Sequence, residues 1–351
     1  MRRTRQIHLR NLPIGGGAPV TVQSMTNTDT ADAEATLAQI LRLRQAGCQI
    51  VRCAFPARNV AEGFRKICAE SPLPVVADIH FDPTLAILAL ECGADGIRVN
   101  PGNLPNEESV RKVAQAAAAL NRVVRIGVNL GSLNKNAEQL YGRTPEAMVH
   151  SALEYIRIFE AEGCTALKVS LKASDVKTTV LANRQFAESS DIPLHLGITE
   201  AGPLSCGIVK SSVGIGALLL DGIGDTIRVS LTAPPEMEPP AAIRILEAVG
   251  LRKAEPEIIS CPTCARTRIP LEKIVQQVEE AIQKLKQEKV PITVRKIAVM
   301  GCEVNGPGEA SDADVGVAGG PRGTAILFRH GLKICTVPAE DILTTLIREI
   351  T

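Results

Sequence analysis

The sequence alternates eight times between a short run of β-branched residues and an alanine- and leucine-rich segment with helical spacing. Such alternation indicates a parallel sheet whose strands are joined by helices, and near-continuous apolar runs are typical of strands buried on both faces. Repetition of this kind predicts a (β/α)8 barrel, with an open doubly wound sheet as the alternative. The predicted strands are 20–25, 49–55, 74–81, 95–100, 122–130, 166–172, 193–199 and 225–232.

The segments between these runs are predicted to be helices because their apolar residues recur with a helical period. Helix starts are indicated at Asp82-Pro83, Thr144-Pro145 and Ser174-Asp175, and helix ends at Gly47, Gly93, Gly163 and Gly250. The predicted helices are 32–46, 57–70, 83–92, 106–120, 144–162, 175–189, 204–219 and 238–249.

The alternation stops after Gly250, which indicates a second domain. A chain of 351 residues is also longer than one hydrophobic core usually supports. We predict a barrel over 1–250, a linker over 251–259 and a small α+β domain over 260–351. The predicted elements of that domain are a helix at 270–289, strands at 294–300, 313–318 and 324–337, and a closing helix from Pro338.

Composition and charge exclude several classes of protein. The formal net charge is +1 and aromatic residues make up 2%, so a nucleic acid partner is disfavoured. No apolar run approaches the length of a membrane span, and the basic first 17 residues contain no apolar signal segment. We therefore expect a cytoplasmic protein with no membrane partner.

Polar side chains follow the predicted strands at their carboxyl ends, where a parallel barrel carries its chemistry. Taken singly, each has an ordinary structural explanation. Together, cations on several strands would meet at one mouth, where phosphate is the matching ligand because planar guanidinium groups pair with its oxygens. The cations are Arg52, Arg98, Arg125 and Lys172, and the neighbouring polar residues include Asp78, His80, Asn100, Asn129, Glu200 and Ser230.

Ten cysteines in a chain with no secretory signal favour reduced thiols and metal ligation. Cys48, Cys53, Cys68, Cys92, Cys164, Cys206 and Cys335 stand singly among aliphatic residues and are expected to be small buried apolar side chains. The remaining three form a Cys-x-x-Cys pair at Cys261 and Cys264, followed by Cys302. With His330 they would suit zinc, and with a carboxylate such as Glu309 they would suit an iron-sulfur cluster.

Six motifs in a fixed order carry a resemblance to a known family: VQSMTNT (22–28), ADIHF (77–81), IRVNPG (97–102), IGVN (126–129), SCPTC (260–264) and GCEVNGPGE (301–309). Together they resemble the bacterial 4-hydroxy-3-methylbut-2-enyl diphosphate synthase family. The resemblance covers both predicted domains. It implies a (β/α)8 barrel followed by a [4Fe-4S] domain, in the short bacterial form.

The resemblance implies reductive ring opening and dehydration of 2-C-methyl-D-erythritol 2,4-cyclodiphosphate, in non-mevalonate isoprenoid synthesis. Two single electrons would arrive from flavodoxin or ferredoxin through one [4Fe-4S] cluster per subunit. It also implies a homodimer in which the barrel of one subunit faces the cluster domain of the other.

The resemblance also implies roles for individual residues. The cluster ligands would be Cys261, Cys264, Cys302 and Glu309, with Glu309 yielding its iron to the substrate oxygen. The diphosphate would be held by Arg52, Arg98, Arg125 and Lys172. The ring would be surrounded by Asp78, His80, Asn100, Asn129, Glu200 and Ser230, with Glu200 handling a proton.

Two other classes of protein fit parts of the sequence. One is a phosphate-binding barrel lyase or aldolase with a structural zinc domain, in which Lys168 or Lys172 would form a Schiff base. The other is a non-catalytic iron-sulfur carrier, which would not need a cationic barrel mouth.

Overall fold

The computed structural model describes residues 2–100, 103–253, 256–304 and 311–351. By their contacts, the described residues divide into two compact units, Met1–Arg252 and Lys253–Thr351. Strands of the first unit, in chain order, are β1 (Ile7–Leu9), β2 (Leu12–Ile14), β3 (Thr21–Met25), β4 (Ile50–Ala54), β5 (Val75–Ile79), β6 (Gly96–Val99), β7 (Val123–Asn129), β8 (Leu167–Lys172), β9 (His195–Leu196) and β10 (Thr226–Ile227).

Strands β3 to β10 form the parallel sheet that the sequence predicts. Within the described residues the order of its eight strands is β8-β7-β6-β5-β4-β3-β10-β9. A parallel bridge between Val169 and Leu194 joins the two outer strands, so the sheet closes into a barrel. The TIM-barrel prediction is confirmed.

Helices lie between the barrel strands and pack their apolar faces on the barrel. They are α1 (Ala33–Gln45), α2 (Ala61–Glu70), α3 (Pro83–Glu91), α4 (Glu107–Ala119), α5 (Lys135–Tyr141), α6 (Pro145–Ala161), α7 (Val176–Ser189), α8 (Leu204–Leu220) and α9 (Glu238–Ala248). The side chains of Asp82, Thr144 and Asp175 accept hydrogen bonds from the first turns of α3, α6 and α7. These caps explain the helix starts that the sequence indicates. Helix α5 was not predicted.

The hairpin of β1 and β2 covers the end of the barrel where its strands begin. Apolar side chains of the hairpin, Ile7, Leu9 and Ile14, form one buried cluster with Ile50, Val76 and Val123 from the first halves of β4, β5 and β7. This end of the barrel is therefore sealed, and polar chemistry is left to the opposite end.

In its described residues, the second unit is a mixed sheet with two helices. The described strands are β11 (Glu257–Ser260), β12 (Lys296–Met300), β13 (Val315–Gly319), β14 (Thr324–Arg329) and β15 (Leu332–Pro338), in that spatial order. Strands β11 to β13 are parallel, and the other neighbours are antiparallel. Helices α10 (Leu271–Gln287) and α11 (Ile342–Ile350) share an apolar core with this sheet.

Two details of the second unit differ from the prediction. The segment 324–337 is a hairpin rather than one strand, because His330 and Gly331 both take positive φ angles, of 47° and 76°, as a tight hairpin turn requires. Residues Glu257–Ser260, expected partly within the linker 251–259, form β11, whose four residues pair with β12.

No helix in the described ranges has the length and apolar character needed to cross a lipid bilayer.

Candidate functional site

Asp78, at the carboxyl end of β5, is a centre of charge pairing in the barrel mouth. Its carboxylate lies 3.8 Å from Nε of Arg52, 3.4 Å from Nη1 of Arg98 and 3.4 Å from Nε2 of His80. Burial alone would raise the pKa of Asp78, but the two guanidinium groups and the hydrogen bond with His80 outweigh it and hold the pKa well below its ordinary value. Asp78 therefore carries a negative charge that orients two arginines.

A second buried carboxylate, Glu238, orients Arg228 from the start of α9. Nη2 and Nε of Arg228 lie 3.0 Å and 3.1 Å from the two oxygens of Glu238. The hydroxyl of Ser24 donates to the same carboxylate over 2.7 Å. Glu238 was not predicted as a site residue, because a glutamate in the first turn of a helix is usually exposed.

Arg125 lies inside the barrel rather than at a strand end. It is the third residue of β7 and pairs in register with Arg98 on β6, which is near the end of its strand, because barrel strands are staggered. Nη1 of Arg125 donates to the hydroxyl of Ser170 over 3.2 Å. In the part of the chain that is described, Nε and Nη2 of Arg125 have no hydrogen-bond partner. These two buried groups therefore lack the acceptors that buried N–H groups normally have.

Lys168 and Lys172 are buried on β8, one strand further along. Burial and the neighbouring Arg125 and Arg52 lower the pKa of Lys168 to about 7. The same causes, with Arg228 and Arg98 added, lower the pKa of Lys172 well below its usual range. Lys172 was predicted to bind the anion, whereas Lys168 was predicted only, together with Lys172, as a candidate Schiff-base lysine of the lyase alternative.

A cleft of ≈ 310 Å³ opens beside Lys172. Asn129, Thr199 and Glu200 line it together with Ser132 and Arg143, two residues that sequence analysis missed. Glu200 is exposed and has a φ of 53°, an uncommon angle for a residue with a side chain. The cleft therefore brings together two basic side chains, one carboxylate and the side-chain amide of Asn129.

The other predicted site residues lie around the same mouth. Asn100 is buried, and its Nδ2 donates to the hydroxyl of Ser132 over 2.5 Å. Ser230 is half-buried just beyond β10. Its side chain has no hydrogen bond to the other mouth residues within the described ranges. The structure thus brings Asp78, His80, Arg52 and Arg98 into direct contact and places Glu200 on a separate part of the mouth.

Cations outnumber carboxylates among the described residues of this mouth. The guanidinium groups are those of Arg52, Arg98, Arg125 and Arg228, and the buried carboxylates are those of Asp78 and Glu238. The amines of Lys168 and Lys172, whose pKa values are lowered, add to the basic character of the mouth. A buried excess of positive charge is costly unless an anion compensates it. A ligand with several negative charges would supply that compensation.

In the second unit, two loops with cysteines follow neighbouring strands. Strands β11 and β12 pair in parallel, and Cys261 comes directly after β11, while Gly301 and Cys302 come directly after β12. The backbone N–H of Gly301 donates to Sγ of Cys261 over 3.2 Å. Parallel pairing therefore brings these two cysteine loops to one edge of the sheet.

Cys264 is exposed on the first of these loops. A hydrogen bond from the backbone N–H of Arg266, reinforced by its charge, lowers the pKa of Cys264 despite a small opposing effect of burial. Lowered pKa values and N–H bonds to sulfur favour the thiolates that bind iron or zinc. Within the described ranges, no three His, Cys, Asp or Glu side chains are grouped closely enough to hold a metal ion. The predicted ligand Glu309 lies outside the described residues.

Cys48, Cys53, Cys68, Cys92 and Cys164 are buried, as predicted. The prediction was wrong for Cys206 and Cys335, which are exposed. Cys206 lies in the first turn of α8, and Cys335 lies on β15, the outermost strand of its sheet, so neither position is covered.

The fold and the mouth define a barrel protein with an excess of buried basic side chains at one end, followed by a unit whose sheet carries two cysteine loops at one edge. Residues 4–243 match the family model described as "GcpE TIM-barrel domain". Residues 257–351 match the family model described as "GcpE protein C-terminal domain". The chain belongs to the GcpE family.

Curated relatives are similar over almost the whole chain. One from Lawsonia intracellularis is 51% identical over 99% of this chain and 95% of its own length. One from Aquifex aeolicus is 51% identical over 99% of this chain and 96% of its own length. Both are named 4-hydroxy-3-methylbut-2-en-1-yl diphosphate synthase (flavodoxin).

Solved structures support the fold of the barrel. Dihydropteroate synthase of Yersinia pestis superimposes with a TM-score of 0.52 at 13% identity, over 71% of this chain and 98% of that chain. At such low identity the likeness concerns the fold alone.

Proposed function

We propose that the chain catalyses the reductive ring opening and dehydration of 2-C-methyl-D-erythritol 2,4-cyclodiphosphate to 4-hydroxy-3-methylbut-2-enyl diphosphate. The observation that carries this proposal is the excess of buried cations in the mouth of a barrel whose relatives, 51% identical, bear the corresponding name. The substrate's diphosphate would compensate that charge. The lyase or aldolase alternative is not favoured, because the relatives' name describes neither activity.

The diphosphate would be bound by basic side chains of the mouth, some of whose N–H groups lack a hydrogen-bond partner among the described residues. Arg125 offers the unpaired N–H groups, and Arg52 and Arg98 are held in place by Asp78. Lys172 borders the cleft that also contains Asn129 and Glu200. This arrangement supports a diphosphate deep in the mouth, with the carbon ring nearer the cleft.

Polar groups around the cleft would bind the ring and move a proton. We assign ring contacts to His80, Asn100, Asn129 and Ser230. Glu200 is the proposed proton-handling group, because it is exposed at the cleft and has no salt bridge with another described residue. Asp78 acts as a partner of Arg52 and Arg98 rather than as an acid, since its pKa is held low.

The second unit is proposed to carry a [4Fe-4S] cluster on Cys261, Cys264 and Cys302, with Glu309 as the fourth ligand. The N–H bonds to the sulfurs of Cys261 and Cys264 fit thiolate ligation. When bound, the cluster would supply single electrons to the substrate. Flavodoxin is the proposed donor, in agreement with the relatives' names, and ferredoxin is the alternative.

Two further assignments complete the proposal. We propose a cytoplasmic homodimer in which the barrel of one subunit works with the cluster unit of the other. This arrangement would give each barrel mouth access to electrons. Equilibrium sedimentation and complementation between a barrel variant and a cluster variant would test it.

Turnover by anaerobically purified protein tests the function directly. Protein containing about four iron and four sulfide per chain should convert the cyclodiphosphate when reduced flavodoxin is supplied, with the product identified by mass spectrometry. Stoichiometric zinc without sulfide, or no conversion by iron-loaded protein, would refute the proposal.

A further inference from the structure

Three buried basic side chains form a row across neighbouring strands of the barrel. Arg98 on β6 is the register partner of Arg125 on β7, and Arg125 is the register partner of Lys168 on β8. Their exposed fractions are 7%, 2% and 1%. Register partners in a parallel sheet project to the same face. The side chain of Lys168 therefore lies beside that of Arg125 inside the barrel, on the side away from Arg98.

Nζ of Lys168 is buried and has no hydrogen-bond partner among the described residues. Both buried carboxylates of the mouth are already paired with other basic side chains: Asp78 with Arg52 and Arg98, and Glu238 with Arg228. A buried ammonium with neither a counter-charge nor a hydrogen-bond acceptor is a costly arrangement. A ligand that supplies both would remove this cost.

Most titratable groups around Lys168 are basic. Arg125 on β7 and Arg52 on β4 act on Lys168 directly, and Lys168 acts in turn on His195 of β9. Arg98 on β6 and Arg228 beyond β10 act on Arg125 and on Lys172 of β8 itself, and Asp78 on β5 acts on Arg125. Burial, Arg125 and Arg52 lower the pKa of Lys168 to about 7. The free protein therefore holds the proton of Lys168 only weakly near neutral pH.

We propose that Lys168 is a further residue of the anion site, and that binding of the diphosphate is coupled to protonation of its amine. The ammonium then faces the deeper phosphoryl group, and the proton comes from the buffer. The inference rests on the proposed function, since it deepens the same diphosphate site. It assigns to Lys168 a role in binding the anion that needs no covalent chemistry.

Titration calorimetry with inorganic pyrophosphate tests this coupling without turnover. Binding is measured at pH 6.5, 7.5 and 8.5 in buffers with different ionisation enthalpies, which gives the number of protons taken up. The variants are Lys168→Met and Lys168→Arg. The matched control is Lys112→Met, since the ammonium of Lys112 is exposed and pairs with Glu108 over 2.7 Å.

At pH 8.5 the wild type should take up about one proton more per pyrophosphate than Lys168→Met, because only the wild type can protonate this amine. The variant should bind about tenfold more weakly at pH 6.5, and the ratio of the two affinities should fall as the pH rises. Lys112→Met should match the wild type. Lys168→Arg, with its permanent charge, should bind without the extra proton.

Equal affinities and equal proton uptake in wild type and folded Lys168→Met would overturn the inference. If Lys168→Met does not fold, Lys168→Arg decides, and proton uptake identical to the wild type would count against the coupling. Failure of the wild type to bind pyrophosphate would also overturn it. The proposed function is judged separately, by turnover of the cyclodiphosphate.

Discussion

Asp78 and Arg98 are register partners on β5 and β6, and Oδ1 of Asp78 lies 3.4 Å from Nη1 of Arg98. The same carboxylate lies 3.8 Å from Nε of Arg52. One buried negative charge thus fixes two guanidinium groups whose mutual repulsion would otherwise push them apart. The mouth therefore keeps more positive than negative charge, while its two arginines are held in fixed positions.

Removal of the charge of Asp78 should destabilise the free protein. Asp78→Asn leaves two buried arginines with no carboxylate, so the free energy of unfolding should fall by about 3 kcal/mol or more. Urea denaturation at pH 7 measures it, and added pyrophosphate should restore part of the loss. Asp221→Asn is the control: Asp221 forms a surface pair with Arg184 at 2.7 Å and should change stability by less than about 1 kcal/mol. Equal losses in the two variants would contradict this account.

Arg125 should act through its shape as well as its charge. Arg125→Ala should weaken pyrophosphate binding by about 1.5 to 3 kcal/mol, since a charge-assisted contact is lost. Arg125→Lys should recover only part of it, because an ammonium does not present two parallel N–H groups. Calorimetry measures both, with Arg184→Ala as the surface control. Full affinity in Arg125→Lys would show that charge alone matters.

Stability should depend on pH through Lys168. Its pKa of about 7 in the folded chain lies below the ordinary 10.5, so between these values the unfolded chain binds more protons and stability rises with pH. The maximum slope from one such group is about 1.4 kcal/mol per pH unit. Urea unfolding without anion measures this. From pH 6.5 to 9, the free energy of unfolding of the wild type should rise relative to that of Lys168→Met. Parallel curves for the two proteins would contradict the lowered pKa.

Cysteine variants should separate ligands from buried side chains. Cys302→Ser should lose most of its iron and sulfide, because a thiolate next to the Cys261 loop is removed. Cys164→Ser is the matched control: Cys164 is also buried but lies in the barrel unit. Iron and sulfide analysis with a visible spectrum provides the measurement. Loss of iron from Cys164→Ser with iron retained in Cys302→Ser would reverse the ligand assignment.

The sequence predicts the repeating elements of the barrel well, because several helix starts have a local cause. Asp82 and Thr144 both accept hydrogen bonds from the turns that follow them. The hairpin of β1 and β2 was missed because its strands are only three residues each, and their stability comes from packing against Ile50 and Val76 in the barrel. The pattern of apolar and polar residues within so short a segment does not indicate contacts with residues that are distant in the sequence.

The residue types of the site could be predicted from the sequence, but the burial of its individual side chains could be predicted less well. Lys168, Ser170 and Lys172 alternate along β8 and are all buried, and that period of two in an apolar strand was the available signal for Lys168. Glu238 gave no such signal, because its burial depends on the approach of α9 to Arg228. The stagger that puts Arg125 beside Arg98 is likewise a property of the closed barrel.

Gly127→Ala should displace Arg98 without removing any charge. A Cβ at Gly127 would lie 2.7 Å from Nε and 3.3 Å from Nη2 of Arg98, closer than side chains tolerate. The variant should fold, because the residue lies within β7 and the obstructing atoms are the end of a side chain, at a cost of about 1 to 3 kcal/mol. Because the guanidinium of Arg98 would be shifted away from Asp78, the variant protein should bind pyrophosphate roughly tenfold more weakly.

The control for Gly127→Ala is Gly216→Ala in α8, where the nearest atom to a new Cβ is Cγ1 of Val249 at 3.9 Å. That variant adds the same methyl group without a clash and should keep full affinity, with a small gain in helix stability. Calorimetry and urea denaturation measure both proteins. If Gly127→Ala binds pyrophosphate as tightly as Gly216→Ala, the position of the Arg98 guanidinium does not limit anion binding, and only the total charge of the mouth would remain as the cause.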